Sequence, residues 1–223
     1  MRDLQPRFLT REQSQEQTRQ RLVESARRLV ALRGLYAASV RDIAADAGYS
    51  QGAFYSNFAS KEALLLEVLK LHKDDEARRV AAIIDSAGDV EEALSSLETW
   101  AERLSASPEH ALLSSELLMH AVRNADFGVA YSSLMSEQRR LYAALARRMF
   151  ALSGAIPPAP LEDIAAGLTA MERGLALDRA VGLTTGASVL PAFFRTVFQN
   201  TFDAGAQSGG TDPHHPTQNS NGS

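Results

Sequence analysis

The sequence predicts an all-α fold, and three observations predict it. Apolar residues recur at helical spacing almost end to end, with little of the alternation that marks strands. Glycine, proline and asparagine fall between the periodic segments, where helices stop. No βαβ pattern, glycine-rich phosphate loop or internal repeat of about 20–50 residues interrupts the series.

The elements follow in order. Leu22, Ala26, Leu29 and Val30 mark one face of a first helix, and Gly34 stops it, because glycine just past a helix end carries little steric cost. Ser39 opens the next, with Asp42 three residues on as the shorter partner of a capping box. Val40, Ile43, Ala44 and Ala47 form its apolar face, and Gly48 closes it. Ser50 caps a very short third helix through about Tyr55, and Ser60 caps a long fourth one running to about Ser86. Beyond Gly88 the helices lengthen, near 90–106, 109–124, 126–153, 161–182 and 188–203. Pro108, Asn124–Asp126 and Ser153–Gly154 with Pro157, Pro158 and Pro160 mark the breaks. Residues 205–223 are polar, rich in Gly, Pro and Asn, and without periodicity, which predicts a disordered tail; His214 and His215 belong to its composition and suggest no metal site.

Composition narrows the function classes. At 223 residues and 45% hydrophobic, the chain can bury a real core. It has no cysteine, which excludes disulfides, thiolate metal sites and cysteine nucleophiles. Neither a signal peptide nor an apolar run of roughly 18–20 residues occurs, so a cytoplasmic location is expected, with no membrane partner. The net charge of −4 divides unevenly. Residues 1–61 hold ten Lys/Arg against six Asp/Glu, giving +4, and the remainder carries −8. A basic head on an acidic body gives a local field suited to nucleic acid, although the imbalance alone would not decide it.

The informative stretch is 39–64, SVRDIAADAGYSQGAFYSNFASKEAL. A short amphipathic helix, a tight turn at Gly48 and a second short helix make a helix-turn-helix, or else an ordinary αα-hairpin. Three features favour the first. Ser50, Gln51, Gly52, Ala53, Ser56 and Asn57 make the second helix small and polar rather than amphipathic. Gly52 costs about 1 kcal/mol relative to Ala inside a helix, and close approach to DNA supplies a reason for it. Phe54 and Phe58, four residues apart, anchor the helix from behind and leave Tyr55 and Ser56 outside.

On these residues the segment resembles the DNA-binding domain of the TetR family of bacterial repressors. That pattern has a glycine-containing turn, a Ser-capped recognition helix, a glycine, a tyrosine, a second aromatic three residues later, and Ser-Lys-Glu opening a long helix. Here those are Gly48, Ser50, Gly52, Tyr55, Phe58, Ser60, Lys61 and Glu62, preceded by Val40-Arg41-Asp42-Ile43-Ala44. Tyr49 stands where a small aliphatic residue is usual, Ala59 replaces a frequent proline, and Ser39 takes the place of the commoner threonine. The motif spans about 45 residues with the correct helix before it; the body agrees in helix number and length.

The resemblance implies an N-terminal three-helix DNA-binding domain over 19–64, a helical ligand-binding and dimerisation domain over 65–204, and a flexible arm over 1–18. It implies a double-stranded DNA operator, a small-molecule effector, a homodimer and no cofactor. Gln51 is the base reader, since a primary amide can pair bidentately with adenine. Gly52 permits close approach, and Ala53 can touch a thymine methyl. Ser50 caps the recognition helix, while Tyr55, Ser56, Lys61, Ser39 and Arg41 bind phosphates, which set register without reading sequence. Lys61 at a helix start is unfavourably placed against the macrodipole, and a phosphate would explain that placement. Arg2, Arg7 and Arg11 in the arm suit a minor groove, or else form an extension without a role.

In the body, Leu134, Gln138, Leu141, Leu145, Met149 and Leu152 stripe one helix and read as core. The family's dimer helices correspond to 161–182 and 188–203. Small residues Ala166, Ala170 and Gly174 permit close helix approach, and Phe194, Val197 and Phe198 offer more apolar surface than one helix needs for its own packing, which predicts a four-helix dimer interface rather than a purely intramolecular face. Trp100, Met119, His120, Arg123, Phe127, Tyr131, Tyr142, Met171 and Glu172 lie on the helices that surround the family's cavity, where polar groups among apolar ones fix a ligand. Two other classes remain. An all-α enzyme finds no nucleophile–base or metal-ligand spacing among His72, His110 and His120. A helical adaptor without DNA binding leaves Gln51, Gly52, Tyr55 and Lys61 unexplained. Within regulators, an activator or a constitutive repressor without ligand stays open.

Overall fold

The computed structural model describes residues 10–105, 108–183 and 189–199. Arg2 and Arg7 of the expected arm, residues 200–204 and the expected tail with His214 and His215 lie outside those residues, and so does the side chain of His110. Among the described residues the order is α1 (Arg11–Arg33), α2 (Val40–Asp46), α3 (Gln51–Asn57), α4 (Lys61–Ser86), α5 (Val90–Ser105), α6 (Pro108–Arg123), α7 (Ala125–Ser153), α8 (Leu161–Ala180) and α9 (Val189–Gln199), with no strand. The all-α expectation holds. No helix among the described residues is long and apolar enough to cross a membrane.

Local chemistry sets the boundaries. Ser39, Ser50 and Ser60 each accept the N–H of the residue three positions on, satisfying donors that a helix start leaves unpaired. Gly34 and Gly48 both take φ near +81°, the left-handed region that ends α1 and turns the chain from α2 to α3. One boundary differs from expectation. α1 starts at Arg11, so residues 11–18 of the expected flexible arm are helical. Thr10 begins them with a full capping box: its Oγ1 accepts the Gln13 N–H, and its own N–H donates to Gln13 Oε1 at 2.9 Å.

Two large apolar cores and a small third one, of Ala101, Leu175 and Leu190, hold the described residues together. The first joins α1–α3 to the start of α4 and to α6 and α7: Leu22, Ile43, Phe54 and Leu64 pack with Leu117 and Phe127. The second lies further along α4 and is closed by α5, α7, α8 and α9, with Ile84, Leu94, Met149 and Phe198 at its centre. α4 runs through both and is the continuous connection between the N-terminal bundle and the body. The stripe on α7 is core only in part. Gln138, Leu145 and Met149 are buried and Leu134 half-buried, while Leu141 and Leu152 are about two-fifths exposed (42% and 41%).

Candidate nucleic-acid interface and effector cavity

The short helix α3 is built to be presented rather than packed. Phe54 is fully buried and Phe58 nearly so, and together they fix its inner side. Gln51, Gly52, Tyr55 and Ser56 are exposed on the other side, and Ala53 is half-buried. Tyr55 rests edge-on against Phe54, ring centroids 5.2 Å apart, which orients an otherwise exposed phenol. A Cβ added at Gly52 would meet only Ser50 Oγ, at 3.6 Å. Nothing among the described residues therefore demands glycine there, and the side facing outward is open to a partner.

α1 supplies a brace that the sequence reading missed. The Arg19 guanidinium lies 4.3 Å over the Phe58 ring, donates to the Asn57 carbonyl at 3.1 Å, and pairs with Glu67 on α4 at 3.1 Å. It ties the end of α3 to α1 and α4 at once. No short-range spacing announces such a residue. Ser25, buried on α1, comes within 3.0 Å of the Ile43 carbonyl and 2.6 Å of the Asp46 carboxylate, fixing α2. Hydrogen bonding from Ser25 and then Arg28 holds the Asp46 carboxyl below the usual range.

At the positions expected to contact phosphate the residues divide. Ser39 and Arg41 are exposed at the start of α2. The Ser39 hydroxyl and N–H both bond Asp42, lowering that carboxyl's pKa. Lys61 has an internal partner instead: its ammonium donates to the Leu35 carbonyl at 2.5 Å, and burial pulls its pKa below the ordinary lysine value. The lysine at this helix start is thus explained by the loop it holds. Ser56 gives its hydroxyl hydrogen to the Gly52 carbonyl at 2.9 Å, keeping its lone pairs for other donors.

In the body, a cavity of about 100 Å³ lies between α4, α5, α7, α8 and α9. Its walls are mostly apolar, among them Ile84, Leu97, Met149 and Leu168. A polar cluster stands at one side. The Glu76 carboxylate accepts the Lys73 ammonium at 2.8 Å and the Tyr142 hydroxyl at 3.1 Å, with Lys73 and Glu76 buried and Tyr142 half-buried. Burial first, and Glu76 second, push the Tyr142 phenol far above its ordinary value, so it stays a hydroxyl donor.

Three of the expected pocket residues, Trp100, Tyr142 and Glu172, line this cavity, and Met171 packs with Trp100 beside it. The others do not. His120, Phe127 and Tyr131 are buried at the junction with the N-terminal bundle, where the His120 ring sits between Tyr36 (5.9 Å) and Phe127 (4.7 Å). Met119 and Arg123 are exposed. The reason is position along the helices: the end of α6 and the first turns of α7 pack into the core shared with α1–α3, and α7 reaches the cavity only from Tyr142 to Met149. Lys73 and Glu76 were missed because charged residues in a helical stripe read as a solvated face.

The expected interface residues also separate. Ala170 and Gly174 are exposed and Ala166 half-buried on the outer side of α8. On α9, Val197 and Phe198 are buried in the second core, and Phe194 lines the cavity. The α9 aromatics therefore close the chain's own core. Phe193, 38% exposed, is the one that faces outward.

Comparison with known proteins agrees with this architecture. Residues 22–68 match the model of bacterial regulatory proteins of the tetR family. The chain is 35% identical over 125 residues to the HTH-type transcriptional repressor KstR2 of Rhodococcus jostii, a match spanning 56% of this chain and 61% of that protein. It is 42% identical over 76 residues to the KstR2 repressor of Mycobacterium tuberculosis, spanning 34% and 38%. The chain thus covers less than two thirds of the length of these relatives. In fold, a TetR-family regulator from Rhodococcus superposes with a TM-score of 0.69 at 20% identity, covering 82% of this chain and 99% of that one. The likeness to the tetR family of bacterial regulatory proteins thus lies in the N-terminal domain, over residues 22–68.

Proposed function

We propose that this protein is a DNA-binding transcriptional repressor that acts as a dimer on a palindromic operator and is released by a small, largely apolar effector. The observation that carries the reading is α3: exposed, polar, anchored from behind by Phe54 and Phe58, and with open space over Gly52. Gln51 at its first turn is the base reader, Ala53 a contact for a thymine methyl, and Tyr55, Ser56, Ser39 and Arg41 the phosphate contacts. A DNA reader works where DNA is, which in a bacterium is the cytoplasm. The repressing direction follows the names of the curated relatives.

The stripe Ala166, Ala170 and Gly174 on α8 supports self-association, because small residues let two helices approach closely. Exposed Val181 and Leu183 at its end and Phe193 on α9 add apolar area that water does not favour. A two-fold dimer would set its two α3 helices roughly 34–36 Å apart, in successive major grooves. The cavity supports the effector, which would act by its differential affinity for two spacings of those helices. A related fold from Saccharomonospora viridis was solved in complex with choline (TM-score 0.62, 21% identity, 81% and 95% covered), and that regulator holds a small molecule. Sedimentation of the chain alone and with a duplex selected from a random pool tests the assembly. A dimer in both states, on a two-fold symmetric site, is expected; a monomer bound to an asymmetric site contradicts it.

A further inference from the structure

Beside the apolar cavity a second, polar cleft of about 210 Å³ opens between α1, α4, α5 and α6, lined by Arg27, His72, Asp75, Arg79 and Glu109. The two spaces share Glu76, Trp100 and Leu104 as walls. Glu76 stands on the partition. Lys73 and Tyr142 reach its carboxylate from the cavity, and His72 Nε2 approaches it at 3.1 Å from the cleft. An apolar chamber adjoining a charged one is the shape of a site for an amphiphile.

The chemistry of the cleft favours an anionic head. Its carboxylates already face donors: Asp75 takes both Arg78 and Arg79, and Glu76 Oε2 takes Lys73 and Tyr142, with His72 Nε2 standing 3.1 Å from Oε1. Its donors are not exhausted, because a guanidinium offers five N–H groups in a fork that fits carboxylate or phosphate. The pairs to be exchanged are weak ones. Arg27–Glu109, at 2.5 Å, has side chains about two-fifths exposed (40% and 41%), and Arg79–Asp75, at 3.0 Å, is more open still.

We propose that this cleft is the head-group subsite of the effector, and that a carboxylate or phosphate there displaces Glu109 from Arg27. This deepens the effector reading above and rests on it. Arg27 lies on α1 and Glu109 on α6, so the exchanged pair is one of the ties between the N-terminal bundle and the body. A ligand that breaks it binds better to the state in which α1 and α6 are apart, which is the condition for shifting the equilibrium.

Trp100 is the chain's one tryptophan and walls both spaces, so its emission reads occupancy directly. The whole protein is titrated with hexanoate, hexanol and hexylamine, without DNA. Hexanoate is expected to bind roughly tenfold tighter than hexanol, the gain of one charge-assisted hydrogen bond or more, and hexylamine weakest. An Arg27→Gln, Arg79→Gln double variant should bring hexanoate to the level of hexanol and leave hexanol unchanged. Glu109→Gln should tighten hexanoate, since the competing carboxylate is gone. Inorganic phosphate added against hexanoate separates the two anions: competition assigns the cleft to either, and its absence to carboxylate alone. Equal binding of the three probes, a preference for the amine, a carboxylate preference that survives the double variant, or no Trp100 response overturns the proposal. Loss of DNA binding with these titrations intact would instead count against the regulator reading.

Discussion

The Glu116 carboxylate on α6 accepts the backbone N–H of Leu35 at 2.9 Å, in the loop that leads from α1 into the helix-turn-helix. The same Leu35 presents its carbonyl to the Lys61 ammonium at the start of α4. One residue is thus held from the body on one side and from the connecting helix on the other. If the proposed effector moves α6, the movement would reach α2 and α3 through this point, because a buried backbone group does not give up its partner freely.

Glu116→Ala is expected to destabilise the fold by about 1–3 kcal/mol, the cost of leaving a part-buried N–H unpaired. Glu116→Gln keeps an acceptor oxygen and should cost much less. Urea unfolding of both variants measures the difference; equal losses would show that the charge, and not the hydrogen bond, matters.

Gly52→Ala separates folding from DNA reading. The new methyl meets only the Ser50 hydroxyl at ordinary contact distance, so thermal stability should be unchanged or slightly raised. Affinity for a selected duplex should fall, because the methyl stands where the DNA must approach. Unchanged affinity would remove Gly52 from the interface.

Gly128 shows the opposite case. A Cβ there would lie 2.7 Å from the Ala121 carbonyl oxygen, at the close crossing of α7 on α6. Gly128→Ala should therefore destabilise by about 1–3 kcal/mol, as overpacking does when backbone must shift. The urea midpoint decides between this and a tolerated methyl.

What the sequence made legible here was what local chemistry writes. The serine caps, the glycine turns and the Phe54–Phe58 anchor all act within four residues, and the structure has each of them. The Thr10–Gln13 capping box was equally legible, and the polar composition of 11–18 hid it. The partners of Arg19 and Lys61 were not legible, because they lie dozens of residues away. The α9 aromatics illustrate a deeper limit: composition tells how much apolar surface a helix has, but not what covers it. Phe198 is covered by Phe150 of its own chain, at 4.9 Å between centroids.

The Asp46 carboxyl gives a pH dependence with a definite sign. Hydrogen bonds from Ser25 and Arg28 depress its folded pKa, so the unfolded chain binds the proton more readily. Its contribution is present above the unfolded value, about 3.9, and is lost as the pH falls through the folded one. Unfolding of wild type and Asp46→Asn across pH 2–7 (about neutral down to acid) should show a gap that closes in acid. A gap independent of pH would mean that packing, not ionisation, is what the carboxylate contributes.

The central claim is that α3 reads DNA. It is tested most directly by selecting bound sequences from a random duplex pool, with the wild type beside a Gln51→Ala, Tyr55→Ala variant. The wild type is expected to enrich a palindromic site at moderate salt, and the variant, equally folded, is not. A folded wild type that enriches nothing, or a variant that enriches the same site as strongly, would contradict it.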